Sequence, residues 1–220
     1  MSKTPKGALA RERIFKTGAV LFAQKGYHAV GVREIAEVAG VKLPMISYYF
    51  GGKQELLKEI ITSGFASYYG HIKRETDAAT DPEQKALAVA RGIIGFFREF
   101  PEIALVTFSV FPVNMAEVHR LRTWLIKKHS HMNPHLYQIL GLAPNDPAMV
   151  HVFSEFMYAI IRNHFQYRYS LNFYPTAEQA YTKQKGVKDV DRIFDDAFYQ
   201  RYAEIVARAF ILSAQGMKKK

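Results

Sequence analysis

Apolar residues recur at intervals of three and four along most of the chain, a pattern typical of helices that bury one face. Near the N-terminus, Ile14, Gly18, Leu21 and Phe22 share one such stripe. Strands would alternate apolar and polar residues, and no stretch does so, so the sequence predicts an all-α protein. Beyond residue 52, helices are predicted at 53–76, 82–100, 102–111, 114–131, 147–169 and 191–214.

Local signals mark where several of these helices begin and end. Gly26 and Tyr27 follow the first stripe as a C′ glycine and the apolar residue expected beyond it. Asp81 and Pro82 form an N-cap followed by a proline at the first helical position. Residues 172–190 are polar and interrupted by proline and glycine, and a long loop is predicted there.

Residues 32–51 have the spacing of a helix-turn-helix, the unit that places a short helix in a DNA groove. Ile35 and the small Ala36 would face the second helix, and Gly40 falls in the turn, where a positive φ is wanted. The apolar contacts between the helices would come from Val41, Ile46 and Tyr49. An ordinary helix hairpin is the alternative interpretation.

The flanking residues extend this match. The run FAQKGYHAVGVREIAEVAGV, the triplet Tyr48-Tyr49-Phe50 and Lys53 in GGKQEL resemble the DNA-binding domain of the TetR family of transcriptional regulators, over roughly residues 8–62. The resemblance implies a helix-turn-helix DNA-binding domain at residues 1–54. It also implies a larger helical domain at 55–220 that binds a small ligand and forms a homodimer.

The recognition segment spans residues 42–49. Its first turn is apolar and can contact thymine methyl groups, whereas Lys42 and Ser47 are the expected polar base readers, with Arg33 in support. The resemblance implies that Lys53 grips a phosphate at the start of its helix. Tyrosine hydroxyls also suit phosphate, although both tyrosines could serve core packing instead. The candidate DNA contacts are Arg33, Lys42, Leu43, Pro44, Met45, Ser47, Tyr48, Tyr49 and Lys53.

Positive charge is concentrated in this region. Residues 1–55 hold nine Lys/Arg and four Asp/Glu, a balance of +5, whereas residues 56–217 hold eighteen and sixteen, a balance of +2. The last three lysines complete the net charge of +10 and are interpreted as a solubilising tail. An excess of cations on the N-terminal segment is what contact with phosphates requires.

The last helix is apolar over more than one face, and a helix of this kind needs both a core and a partner. The resemblance implies that it pairs with helix 147–169 and with their copies as a four-helix bundle. Burial inside one monomeric core is the alternative. The candidate dimer-interface residues are Phe198, Tyr202, Ile205, Ala209 and Leu212.

Residues 90–170 are rich in aromatic residues and methionine, which favours an apolar ligand pocket, although plain core packing is the alternative for each residue. The effector would be apolar or aromatic. Candidate lining residues are Phe97, Phe108, Trp124, Phe153, Met157, Asn163 and His164. The tract HSHMNPH at residues 129–135 could suggest a metal site, but a solvated helix end explains it better, and neither a metal nor a cofactor is expected.

Enzyme chemistry is not indicated, because the chain lacks a phosphate-binding glycine loop, a nucleophile elbow and an HExxH pair. Cysteine is absent, and neither a signal peptide nor a membrane span is apparent, so a cytoplasmic location is expected. The sequence thus predicts a ligand-responsive repressor that is released from a palindromic double-stranded DNA operator. An architectural or chromosome-associated DNA-binding protein without an inducer is the alternative.

Overall fold

A computed structural model describes residues 5–108, 115–128, 147–172, 183 and 189–217. Helices make up the described part, in which no strand occurs, and the predicted all-α class is confirmed. In chain order they are α1 (Pro5–Lys25), α2 (Val32–Val38), α3 (Pro44–Phe50), α4 (Lys53–Thr76), α5 (Pro82–Glu99), α6 (Pro101–Thr107), α7 (Ala116–Lys128), α8 (Pro147–Leu171) and α9 (Asp196–Met217).

The boundaries follow local chemistry where the sequence carries a cap. Gly26 follows α1 with φ of 77°, and its N–H donates to the carbonyl of Phe22 at 3.0 Å. At the start of α5 the Asp81 carboxylate accepts from the N–H groups of Glu83 and Gln84, each at 2.9 Å. Both caps satisfy backbone groups that a helix end leaves without an intrahelical partner.

The start of the last helix differs from the prediction. A 3-10 turn at Val190–Arg192 comes first, and α9 begins only at Asp196. Asp189 caps the short turn by accepting from the N–H of Asp191, whereas Asp195 accepts from the N–H of Phe198 at 2.8 Å. Each aspartate therefore starts its own turn, because its carboxylate competes for nearby backbone donors.

The chain forms two compact units. The first unit comprises Met1–Ser67 and Glu102–Ile126. Its core is apolar, and α1 lies so close to α4 that a Cβ on Gly18 would be 2.8 Å from the Leu56 Cδ2 atom. The large side chains buried in this core include Ile14, Phe22, Ile35, Ile46, Leu56, Leu57, Ile60 and Ile61.

The second unit comprises Tyr68–Pro101 and Lys127–Lys220, and in it α5 packs against α8 and α9. Its buried side chains include Ile93, Phe96, Phe97, Phe165, Val206 and Phe210. Helix α4 supplies residues to both units. The functional division after residue 54 stays a prediction. None of the described helices has the length and apolar character needed to cross a membrane.

Candidate nucleic-acid interface

Helices α2 and α3 and the turn between them have the geometry expected of a helix-turn-helix. Ile35, Ala36 and Ile46 are buried where the two helices meet. Gly40 in the turn has φ of 62°, which favours glycine, and the N–H of Val41 donates to the carbonyl of Ala36 at 2.9 Å. The small side chain at position 36 leaves room for this close return of the backbone.

One side of α3 is exposed and carries most of the predicted base contacts. Pro44 occupies the first helical position, where the missing N–H costs no hydrogen bond. Met45 is half-buried, whereas the remaining residues of this face are exposed. These exposed residues are Lys42, Leu43, Pro44, Ser47 and Tyr48, and Arg33 is exposed on α2.

The three aromatic residues at the end of α3 lie in different environments. Tyr48 is 79% exposed, so core packing does not explain it. Tyr49 is half-buried, with its ring centroid 4.9 Å from that of Tyr48. Phe50 is buried, and the Arg11 guanidinium lies 4.8 Å above its ring. Within the triplet, Tyr48 therefore faces solvent, Tyr49 is partly covered and Phe50 packs in the core.

Two glycines with positive φ connect α3 to Lys53. Gly51 and Gly52 have φ of 81° and 126°, and the N–H of Gly51 donates to the carbonyl of Ser47 at 2.8 Å. This Gly-Gly turn lies between α3 and the start of α4 at Lys53. The spacing between the exposed face of α3 and Lys53 thus depends on two positions with positive φ, a conformation that glycine adopts without strain.

The ammonium group of Lys53 lies over an aromatic ring. Its Nζ atom is 4.1 Å from the centroid of Tyr27, and this ring in turn contacts Phe22 at a centroid distance of 5.4 Å. Burial lowers the pKa of Lys53 below its ordinary value. From the sequence, Tyr27 is predicted only as the apolar residue beyond a helix end, and its contact with Lys53 is not predicted. The available signal is that this aromatic residue and the lysine belong to the same motif.

An ion pair offsets the charge of a carboxylate in the first turn of α2. Lys25 donates to Glu34 in the first turn of α2 at 2.6 Å, and this hydrogen bond is the main reason why the pKa of Glu34 is lowered. Arg33 beside it is exposed. The pairing reduces the repulsion that an approaching phosphate would meet at this end of α2.

The residues predicted to line a ligand pocket do not all fall in one unit. In the second unit Phe97 is buried and stacks on Phe165, with ring centroids 5.2 Å apart, whereas Asn163 is exposed. Phe108 and Trp124 belong to the first unit, and Trp124 is 54% exposed. The side chains of Phe153 and Met157 lie outside the described residues, as do residues 129–135 with the histidine tract.

His164 is surrounded by aromatic rings from the end of the chain. Its ring stacks on Phe198 at a centroid distance of 5.5 Å and lies 4.8 Å from Tyr202, and its Nε2 atom is 3.3 Å from the Tyr199 hydroxyl. Burial, helped by the charge of Arg168, lowers the pKa of His164 to about 4. The imidazole is therefore neutral at pH 7, and its role toward a ligand stays a prediction.

Comparison with known proteins gives one family at the N-terminus. Residues 14–60 match the family model described as bacterial regulatory proteins, tetR family. The HTH-type transcriptional repressor KstR2 of Mycolicibacterium smegmatis is 28% identical over 78 residues, which is 36% of this chain. The match spans only 38% of that relative's length.

Likeness to solved structures extends over nearly the whole chain. A TetR-family transcriptional regulator from Bordetella parapertussis matches with a TM-score of 0.66 and 15% identity, over 91% of this chain and 93% of that one. The transcriptional regulator FadR from Bacillus subtilis, solved in complex with stearoyl-CoA, matches with a TM-score of 0.61 and 14% identity, over 91% and 97%. At such identities the likeness establishes the fold alone.

Proposed function

We propose that the chain, whose residues 14–60 match the model of the tetR family of bacterial regulatory proteins, is a transcriptional repressor of that family rather than an enzyme. In this proposal a homodimer binds a palindromic DNA operator and releases it when a small apolar molecule binds. KstR2 is named as a repressor, which supports repression rather than activation.

The observation that carries the proposal is the exposed face of α3 together with Lys53. Lys42 and Ser47 can donate to base edges, and Leu43 and Pro44 can meet thymine methyl groups. Lys53 would position the protein by contact with a phosphate, which conveys no sequence information. Base reading and phosphate contact are therefore assigned to different residues, and separate variants can test them.

A homodimer would place two recognition helices on successive major grooves, about 34–36 Å apart or somewhat more. Support for the dimer comes from α9. Ile205 and Leu212 are 53% and 57% exposed, while Val206 and Phe210 on the same helix are buried. One face of α9 thus packs in its own unit, and the other remains available to a partner.

The proposed effector is apolar or aromatic, and it would bind among the residues predicted from the sequence. FadR from Bacillus subtilis was solved with stearoyl-CoA, a ligand with a long apolar chain, which supports this class. To release DNA, the effector must bind more tightly to a conformation in which the recognition helices no longer match the grooves. By linkage, DNA must then weaken effector binding by the same factor.

Selection of random-sequence duplexes by the full-length protein tests the DNA-binding proposal. We expect enrichment of one palindrome, and Lys53→Ala should weaken binding to selected and unrelated duplexes alike. Lys42→Ala should instead change which bases are preferred. Recovery of many dispersed sequences without a shared palindrome would favour the architectural alternative, and no enrichment at all would refute DNA recognition.

A further inference from the structure

One carboxylate links α7 to the first turn of α4. The Glu117 Oε2 atom accepts a hydrogen bond from the Gln54 Nε2 atom at 2.7 Å and pairs with the Lys58 Nζ atom at 2.7 Å. Glu117 is the second residue of α7, and Gln54 is the second residue of α4. All three residues, here called the Glu117 bridge, belong to the first unit.

The opposite charges of Glu117 and Lys58 stabilise the Glu117 bridge. The hydrogen bond from Lys58 is the main cause of the lowered pKa of Glu117, and Glu117 in turn raises the pKa of Lys58. Lys58 also pairs with Glu55 at 2.7 Å, so this cation is held between two carboxylates. Both partners are therefore ionised at neutral pH.

Helix α4 also packs closely against the α6–α7 segment at Gly64 within the first unit. The Thr107 hydroxyl fills the space where a Cβ of Gly64 would stand, and the Ile103 Cγ2 atom would lie 3.1 Å from that Cβ. Thr107 is fully buried. The α6–α7 segment therefore holds the first half of α4 by close packing at Gly64 and by ionic contact near Lys53.

We propose that Glu117 is a positioning residue that fixes the first turn of α4, and with it Lys53, to the α6–α7 segment. The inference rests on the proposed function and adds a positioning residue to the same DNA-binding site.

The direction in which Glu117→Ala changes DNA affinity distinguishes a positioning role from a general effect of charge. Removing a carboxylate from a DNA-binding protein should tighten binding, because the lost charge repelled phosphates. If Glu117 positions Lys53, Glu117→Ala should instead weaken binding. Glu75 is exposed on the later part of α4, and Glu75→Ala removes the same charge without touching the bridge.

The first experiment needs no DNA and uses amide hydrogen exchange on the full-length protein. We expect Glu117→Ala to speed exchange in peptides covering residues 53–60 by about three- to fivefold, as the loss of an exposed ionic contact allows. Glu75→Ala should leave these peptides unchanged. Equal exchange in wild type and Glu117→Ala would overturn the bridge as a structural restraint.

The second experiment measures affinity for the palindromic duplex selected by the wild-type protein. Glu117→Ala should bind about three- to fivefold more weakly, and Glu75→Ala as well as wild type or better. Glu117→Ala should add no further loss in a Lys53→Ala background, because the group it positions is gone. Unchanged or tighter binding by Glu117→Ala, or full additivity, would overturn the proposal.

These outcomes also distinguish the two proposals. If the wild-type protein selects no duplex, the proposed function fails, whereas faster exchange in Glu117→Ala would still establish the restraint on α4. If a palindrome is selected and Glu117→Ala binds it normally, only the positioning role fails.

Discussion

At the scale of single residues, Tyr27 contacts Lys53, the proposed phosphate-binding residue, in the absence of DNA. The ammonium group rests over the aromatic ring, 4.1 Å from its centroid. An ion pair with a carboxylate would have to be broken before a phosphate could bind. The ring attracts the cation without neutralising it, since the interaction involves only the quadrupole of the ring.

We predict that Tyr27→Leu weakens binding to the selected duplex by about two- to fivefold, because a half-exposed cation–π contact is worth about 0.5–1 kcal/mol. Tyr27→Phe keeps the ring and should bind like wild type. Fluorescence anisotropy with labelled duplex measures both affinities, and thermal melting checks the fold. The prediction fails if Tyr27→Leu weakens binding equally when Lys53 is already alanine.

His164 gives a second prediction at this scale, which concerns pH. Its pKa is lowered to about 4 in the folded protein from an ordinary value near 6.5, so between these values the unfolded chain binds more protons. Protonation therefore favours unfolding in this window. The stability that the neutral imidazole contributes is present above pH 6.5 and is lost as the pH falls toward 4.

Urea unfolding of wild type and His164→Phe at intervals from pH 7 to pH 4 tests this expectation. The wild-type free energy of unfolding should fall more steeply than that of the variant below about pH 6.5. The difference between the curves isolates His164 from the other titrating groups. Parallel curves across the window would show that His164 titrates with an ordinary pKa.

At the scale of helices, a glycine decides how closely α4 and α5 pack in the second unit. A Cβ on Gly92 of α5 would lie 2.7 Å from the Cα atom of Ile72 and 2.9 Å from its backbone nitrogen. Backbone atoms cannot rotate away as a side chain can. By contrast, a Cβ on Gly70 of α4 would meet nothing within 4 Å.

We expect opposite results from the same substitution at these two positions. Gly70→Ala should stabilise the protein by about 0.5–1 kcal/mol, because alanine favours helix more than glycine does. Gly92→Ala should destabilise it by about 1–3 kcal/mol, because overpacking forces the helices apart. Urea denaturation of both variants gives the two values. A stabilised Gly92→Ala variant would contradict the close packing of these helices.

At the scale of the whole molecule, the proposed dimer depends on the outward face of α9. Ile205 and Leu212 are exposed apolar residues two helical turns apart, and Phe198, Tyr202 and Ala209 beside them are half-buried. A subunit interface that supports a stable dimer should bury more than about 1,200 Å² in total. Helices α8 and α9 would have to supply most of this area in each subunit.

We predict that Ile205→Glu combined with Leu212→Glu yields monomers, since each charge would lose its water at the interface without a partner. Affinity for the palindromic duplex should fall at least tenfold, because each half-site would bind alone. Gln84→Glu on α5 combined with Gln200→Glu adds the same charge at exposed positions away from this face and serves as the control. Sedimentation velocity gives the oligomeric state, and a monomeric wild-type protein at micromolar concentration would refute the interface.

The sequence alone predicted the helices, most of their ends and the helix-turn-helix. These features depend on residues a few positions apart, such as the Asp81 carboxylate with the N–H groups of Glu83 and Gln84, or Gly40 in its turn. Such contacts form within one turn of the chain, so the preferences of neighbouring residues suffice to specify them. Even there, Asp189 and Asp195 divided one predicted helix start into two turns.

Only the tertiary structure decided which distant residues meet. Tyr27 and Lys53, like Gln54 and Glu117, are brought together by packing of whole helices, and no local pattern indicates these pairs. Likewise, α9 looked apolar on a broad face, and its packing in the second unit determined that Phe210 is buried while Ile205 is exposed. Burial depends on the summed contacts of every neighbouring helix, which periodicity along one helix does not contain.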